Sequence, residues 1–113
     1  MVNQLDAALA ALADPTRRRV IDLLRDRPRP ANVLAKEAGT SPPAMSRHLR
    51  VLRTTGLVEE QRTEEDARVR VYRLRQEQFV ALRAWLDEVE TFWTNQLDAY
   101  RTHVERTRGG KRR

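Results

Sequence analysis

The chain contains no cysteine. Disulfide frameworks, cysteine–zinc sites and thiol catalysis are therefore excluded, and a reducing compartment is the simplest setting. Histidine is nearly absent too, with only His48 and His103, so one chain cannot close a zinc site of ordinary composition. No apolar run approaches membrane-spanning length, and residues 1–6 lack the pattern of a signal peptide. The expectation is a soluble, cytoplasmic protein with no metal, no cofactor and no membrane partner. Lysine is scarce as well: two of the 22 basic residues, against twenty arginines. Arginine favours forked contacts to phosphate or base edges over simple solubility.

What remains is a chain of 113 residues, 40% of them hydrophobic. That suits one domain with a small core, and so small a fold gains by burying more surface in a dimer. The net charge is +6, but residues 106–113 carry +5 of it. Segment by segment, residues 1–39 sum to +2, 40–55 to +3, 56–66 to −4, 67–75 to +4 and 76–105 to −4. The two positive blocks, 40–55 and 67–75, are the candidates for a phosphate-facing surface. The expected organisation is a folded domain over 1–106 and a basic, disordered tail over 107–113.

Leu5, Leu9 and Leu12 recur at helical spacing and predict a first helix. Asp14-Pro15 is a start signal for a second, with Val20, Ile21, Leu23 and Leu24 on its buried side and Pro28 and Pro30 ending it. Ala31 to Ala38 reads as a short third helix capped by Gly39. Ser41 is the cap of a fourth, whose first turn tolerates Pro42 and Pro43. Met45, Leu49 and Leu52 form its buried stripe, and Gly56 stops it. Two extended segments follow, 57–62 and 68–74, joined by a polar loop without glycine. From Gln76 to about Arg106 an apolar stripe runs from Phe79 through Leu82, Leu86, Val89, Trp93, Leu97 and Tyr100 to Val104. Val80, Trp85 and Phe92 lie off it, so the apolar surface is wider than one partner face requires. Such a helix packs on its own domain alone, or on its domain with one side and a second chain with the other.

The centre of the chain is thus helix, tight turn, helix and hairpin, the pattern of a winged helix-turn-helix. With Met45, Leu49 and Leu52 inward, the outward side carries Ala44, Ser46, Arg47, Arg50 and Arg53, with Ser41, Pro42 and Pro43 at its tip. No acidic residue falls between 40 and 55. Such a face suits phosphates and base edges. The expected fold class is mainly α with a two-stranded β wing and a long C-terminal helix for dimerisation.

Three stretches, ALADPTRRRVIDLL, LAKEAGTSPPAMSRHLRVLRTTGLVEEQR and ARVRVYRL, resemble the ArsR/SmtB family of bacterial winged-helix repressors over residues 5–75. FWTNQLDAY resembles a subgroup with a long last helix and without the usual metal sites. The resemblance implies a homodimer joined by the terminal helices and bound to an inverted-repeat operator. The expected interface residues are Leu5, Leu9, Leu86, Val89, Trp93, Leu97 and Tyr100. It also implies that Pro42, Pro43, Ser46 and Arg47 face DNA, that Arg68 and Arg70 sit on the wing, and that the protein represses its own operon and a few neighbours. The chain departs from the family pattern in three places. The Cys-x-Cys of the metal sensors is missing. His103, with Asp98 five residues earlier and Arg106 three later, lacks the zinc spacing of the last helix. The wing tip is Glu64-Glu65-Asp66, where Gly-Arg is commoner. A small-molecule effector stays open and unnamed.

Catalysis finds no support. Ser46 and His48 are two apart on a helix and diverge, as do Glu88 and Glu90, while Glu59 and Glu60 take opposite sides of a strand. These carboxylates read as solvated faces, and His48 as a half-buried helix contact. The alternative function is a winged-helix module that binds another protein without specific DNA binding; steep weakening with salt separates DNA from such an apolar interface.

Overall fold

The computed structural model describes residues 3–66 and 68–111, the last three for backbone alone. It divides into two compact units, residues 1–81 and 82–113. The first opens with α1 (Gln4–Leu12), capped by Asn3, whose Oδ1 accepts from the Asp6 N–H at 2.8 Å. The residues α1 buries are Ala8 and Ala11, whereas Leu9 is exposed and Leu5 half-buried. The helical spacing of the leucines predicted the element, but the small residues make its packed face. α2 (Pro15–Asp26) starts on Asp14, whose Oδ1 accepts from the Arg17 N–H at 3.0 Å. That hydrogen bond holds the Asp14 carboxyl below its ordinary range. Val20, Ile21, Leu23 and Leu24 are buried as their pattern requires.

Between α2 and α3 (Ala31–Ala38) lies an element that the sequence did not announce. Arg29–Pro30 forms β1, paired antiparallel with β3 (Arg70–Leu74). β3 also pairs with β2 (Val58–Arg62), which makes the two-stranded wing hairpin that the sequence predicts, and β1 adds a third strand to the sheet, in the order β1-β3-β2. Two residues are too few for a periodic signal. Proline is tolerated there because β1 is an edge, where a missing N–H costs no interior ladder bond.

Arg29 is the charged residue buried at this junction, 8% exposed. Its Nη1 donates to the Glu37 carboxylate on α3, and its Nη2 to Asp26 at the end of α2, 3.0 Å away. One guanidinium therefore ties the end of α2 and β1 to α3. α4 (Pro42–Thr54) follows, then the β2–β3 hairpin, then α5 (Glu77–Lys111). Residues 82–111 of α5 make up the described part of the second unit. α5 runs on through Thr107 and Arg108 to Lys111, so residues 107–111 of the expected basic tail are part of the helix. Of that tail, residues 112–113 lie outside the described residues, as does Ala67 of the wing loop.

Glu37→Ala should leave the buried guanidinium with only the more exposed Asp26. Since Glu37 itself is about one-third exposed, the cost is discounted for screening to about 1–2 kcal/mol. A urea titration that gave the wild-type midpoint would remove this pair from the stabilising interactions.

Candidate nucleic-acid interface

The turn between α3 and α4 fixes how the fourth helix is presented. Gly39 adopts φ 67°, a left-handed conformation that favours glycine. It lets the Gly39 N–H donate to the Lys36 carbonyl at 3.3 Å and the Thr40 N–H to that of Ala35 at 3.0 Å, which closes α3. Ser41 then caps α4, its Oγ accepting from the Ala44 N–H at 3.3 Å, and Pro42 occupies the first helical position. Met45, Leu49 and Leu52 are buried to 0%, 2% and 0% exposure. Their burial sets the rotation of the helix.

With that stripe inward, Ser41, Pro42, Pro43, Ser46, Arg47, Arg50 and Arg53 are all exposed, as expected, while Ala44 is half-buried. Arg47 and Arg50 have no carboxylate within ion-pair distance among the described residues, so their charges face solvent. His48 is half-buried, with Arg17 Nη1 3.4 Å from its Nδ1. Arginine can only donate, so Nδ1 accepts. The same Arg17 donates through Nε to the Ala11 carbonyl at 2.6 Å and thereby ties α1 to α4. His48 is thus a helix contact and not a side chain free to read a base.

The wing differs from its sequence reading in its electrostatics. The positive block 67–75 is matched by carboxylates of the block before it. Arg73 pairs with Glu59, directly opposite in the sheet register, and Arg75 lies 3.9 Å from Glu59 and 3.5 Å from Glu77. Arg53 donates to Glu60 at 2.7 Å, and Arg70 lies 3.6 Å from it. Arg68, almost wholly exposed, lies 3.3 Å from Asp66. Glu59 and Glu60 are therefore ion-paired and half-buried, not the solvated face expected. At the tip, Thr63 Oγ1 accepts from the Asp66 N–H at 3.0 Å and Asp66 Oδ1 from the Arg68 N–H at 2.9 Å, so one of the three tip carboxylates is occupied within the loop. Glu64 and Glu65 are exposed.

One contact of this region lies beyond what residue spacing announces. Glu60 and Tyr72 stand opposite each other in the β2–β3 register, and the Tyr72 O–H donates to Glu60 Oε2 at 3.1 Å. Burial, then this hydrogen bond, push the Tyr72 phenol above its ordinary range. The available signal was strand alternation, but pairing could not be read without the loop length. Among the described residues no three His, Cys, Asp or Glu side chains gather so as to hold a metal ion.

Residues 12–61 match a family model described as a helix-turn-helix domain. Over 95 residues the chain is 40% identical to the HTH-type transcriptional regulator Rv2034 of Mycobacterium tuberculosis, across 84% of this chain and 83% of that relative. The crystal structure of an ArsR family transcriptional regulator superposes with a TM-score of 0.73 at 34% identity, covering 81% of this chain and 98% of that one. The chain belongs to the ArsR/SmtB family. A solution structure of a homodimeric winged helix-turn-helix DNA-binding domain from Mycobacterium bovis is also similar. Its TM-score is 0.62 at 28% identity, covering 78% of this chain and 79% of that domain. As a member of the ArsR/SmtB family the chain is a transcriptional regulator with a helix-turn-helix DNA-binding domain, and its relatives are regulators rather than enzymes. No helix among the described residues is long and apolar enough to cross a membrane.

Gly39→Ala tests the turn. An added Cβ at Gly39 meets nothing within 4 Å, so the cost is conformational alone, about 1 kcal/mol. Gly56, at φ 79°, would place its Cβ 3.3 Å from Gln78 Cγ, so Gly56→Ala should cost more. Thermal melts showing Gly39→Ala to be the more damaging substitution would contradict this account.

Proposed function

We propose that this regulator is a cytoplasmic homodimeric repressor that binds an inverted-repeat operator with α4 in the major groove. The observation that carries the reading is the exposed face of α4, on which Arg47 and Arg50 have no carboxylate within ion-pair distance among the described residues, and no acidic residue falls between 40 and 55. Ser41, Pro42, Pro43 and Ser46 lie on or ahead of its first turns, where a recognition helix reaches base edges. Pro42 and Pro43 offer apolar contact, for example with thymine methyls, so polar base readout falls to Ser46 and Arg47. Arg50 meets phosphate further along. Arg53, Arg68 and Arg70 approach the backbone with their charges shared with Glu60 and Asp66.

Arg47→Ala should cost roughly 1–3 kcal/mol per half-site and relax preference at one base pair. Arg50→Ala should weaken all DNA about equally and flatten the log-log salt dependence by roughly one unit for each phosphate that is no longer neutralised. The measurement is a titration on a duplex selected from a random pool and on its scrambled sequence, at several salt concentrations. The selected motif should be an inverted repeat with half-site centres about one helical turn, or a multiple of it, apart. Two folded variants that bind as the wild type does would remove α4 from the interface. Binding insensitive to salt would favour the protein-interaction module instead.

The dimer reading rests on apolar exposure. On α5, Leu86, Trp93, Leu97 and Tyr100 are exposed and Val89 is half-buried; on α1, Leu9 is exposed and Leu5 half-buried. Large apolar side chains left in water along one helix mark an interaction surface. The homodimeric description of the Mycobacterium bovis neighbour supports a second copy as the occupant. Sedimentation at micromolar concentration should give twice the chain mass, and Trp93→Glu should shift the protein toward monomer by placing a charge in an apolar contact. A wild type that sediments as a monomer would exclude the dimer.

A further inference from the structure

Glu60 stands in the middle of β2 with its side chain 17% exposed, while the two arginines on it are about half exposed. Its Oε2 accepts from Arg53 Nη1 at 2.7 Å and from the Tyr72 O–H at 3.1 Å, and Arg70 Nε lies 3.6 Å from its Oε1. One carboxylate therefore joins the last turn of α4 to both strands of the wing. Its two cations come from the recognition helix and from the wing, the elements assigned to DNA above. Arg47 and Arg50 of α4, which have no ion pair among the described residues, lie outside this cluster.

We infer that Glu60 is a positioning residue for DNA binding, which withholds the charges of Arg53 and Arg70 from phosphate and so sets the sequence-independent part of the affinity. The inference rests on the DNA reading of α4. Non-specific affinity follows the number of cations that can neutralise phosphates. Glu60, Arg53 and Arg70 together carry +1, and without the carboxylate charge they carry +2. A phosphate that captured Arg53 would leave a largely buried carboxylate short of a partner, which offsets the gain. The Tyr72 phenol, itself buried, fixes the carboxylate in place and keeps it from following Arg53 outward. Ser46 and Arg47, the base-reading side chains, are untouched by this arrangement.

The test uses the full chain and four proteins: wild type, Glu60→Gln, Arg53→Gln and Arg50→Ala. Each is titrated with the selected and the scrambled duplex across salt. Glutamine keeps the shape of Glu60 and an acceptor for Tyr72 while removing the charge. Glu60→Gln should bind the scrambled duplex several-fold more tightly at low salt, with a log-log slope steeper by roughly one to two units per protomer. Arg53→Gln should change the slope less than Arg50→Ala does, because its charge is already spent on Glu60. A folded Glu60→Gln with the wild-type slope would overturn the inference, and so would a variant whose melting temperature falls while its slope does not change. The Arg53→Gln arm decides even if Glu60→Gln does not fold, since a slope loss equal to that of Arg50→Ala shows Arg53 already on phosphate. A wild type without salt-dependent binding to either duplex fails the DNA reading itself. Wild-type binding with no effect of Glu60→Gln on the slope fails only the role of Glu60.

Discussion

The rotation of α4 is fixed by three side chains that have nowhere else to go. Met45, Leu49 and Leu52 are excluded from water, and at roughly 1.5–3 kcal/mol for each large aliphatic side chain buried, turning the helix to expose them would cost most of a small domain's stability. Everything on the opposite face inherits its direction from that constraint. Ser46 and Arg47 point outward because their neighbours cannot. The turn at Gly39, the cap at Ser41 and the Arg17 contact with His48 then fix where the helix begins and how it sits against α1.

Much of this was legible in the sequence because it depends on local chemistry. The caps at Asp14, Ser41 and Gly39 and the buried stripe of α4 depend on residue spacing and backbone preference within a dozen positions. What escaped depends on partners distant in the chain. β1 is two residues long and exists only because β3 is beside it. The buried face of α1 is made of alanines, whereas apolar periodicity drew attention to its leucines. The hairpin itself was readable, but not its register, and the register decides which carboxylate meets which arginine.

That register changes how charge along the chain is understood. By sequence, residues 56–66 and 67–75 are blocks of −4 and +4. Folded, the two run antiparallel, and Glu59 and Glu60 stand opposite Arg73 and Tyr72. The wing as a whole is close to neutral, and its arginines are largely paired. Arg47 and Arg50 of α4, like Arg62 at the end of β2, have no such counter-ions among the described residues. A basic block that looked equivalent to that of α4 is, in three dimensions, mostly an internally compensated hairpin.

The paired prolines at the start of α4 have a consequence for how a phosphate is met there. A helix ordinarily begins with four free amides, a ready-made cradle for an anion. Here Pro42 and Pro43 have no N–H to offer, and that of Ala44 is taken by the Ser41 hydroxyl. Only the amide of Ser41 itself remains. At the N-terminal end of α4 the backbone therefore has almost nothing to offer an anion. Grip and register at that end must come from flexible side chains, which can be exchanged one at a time without remodelling the helix.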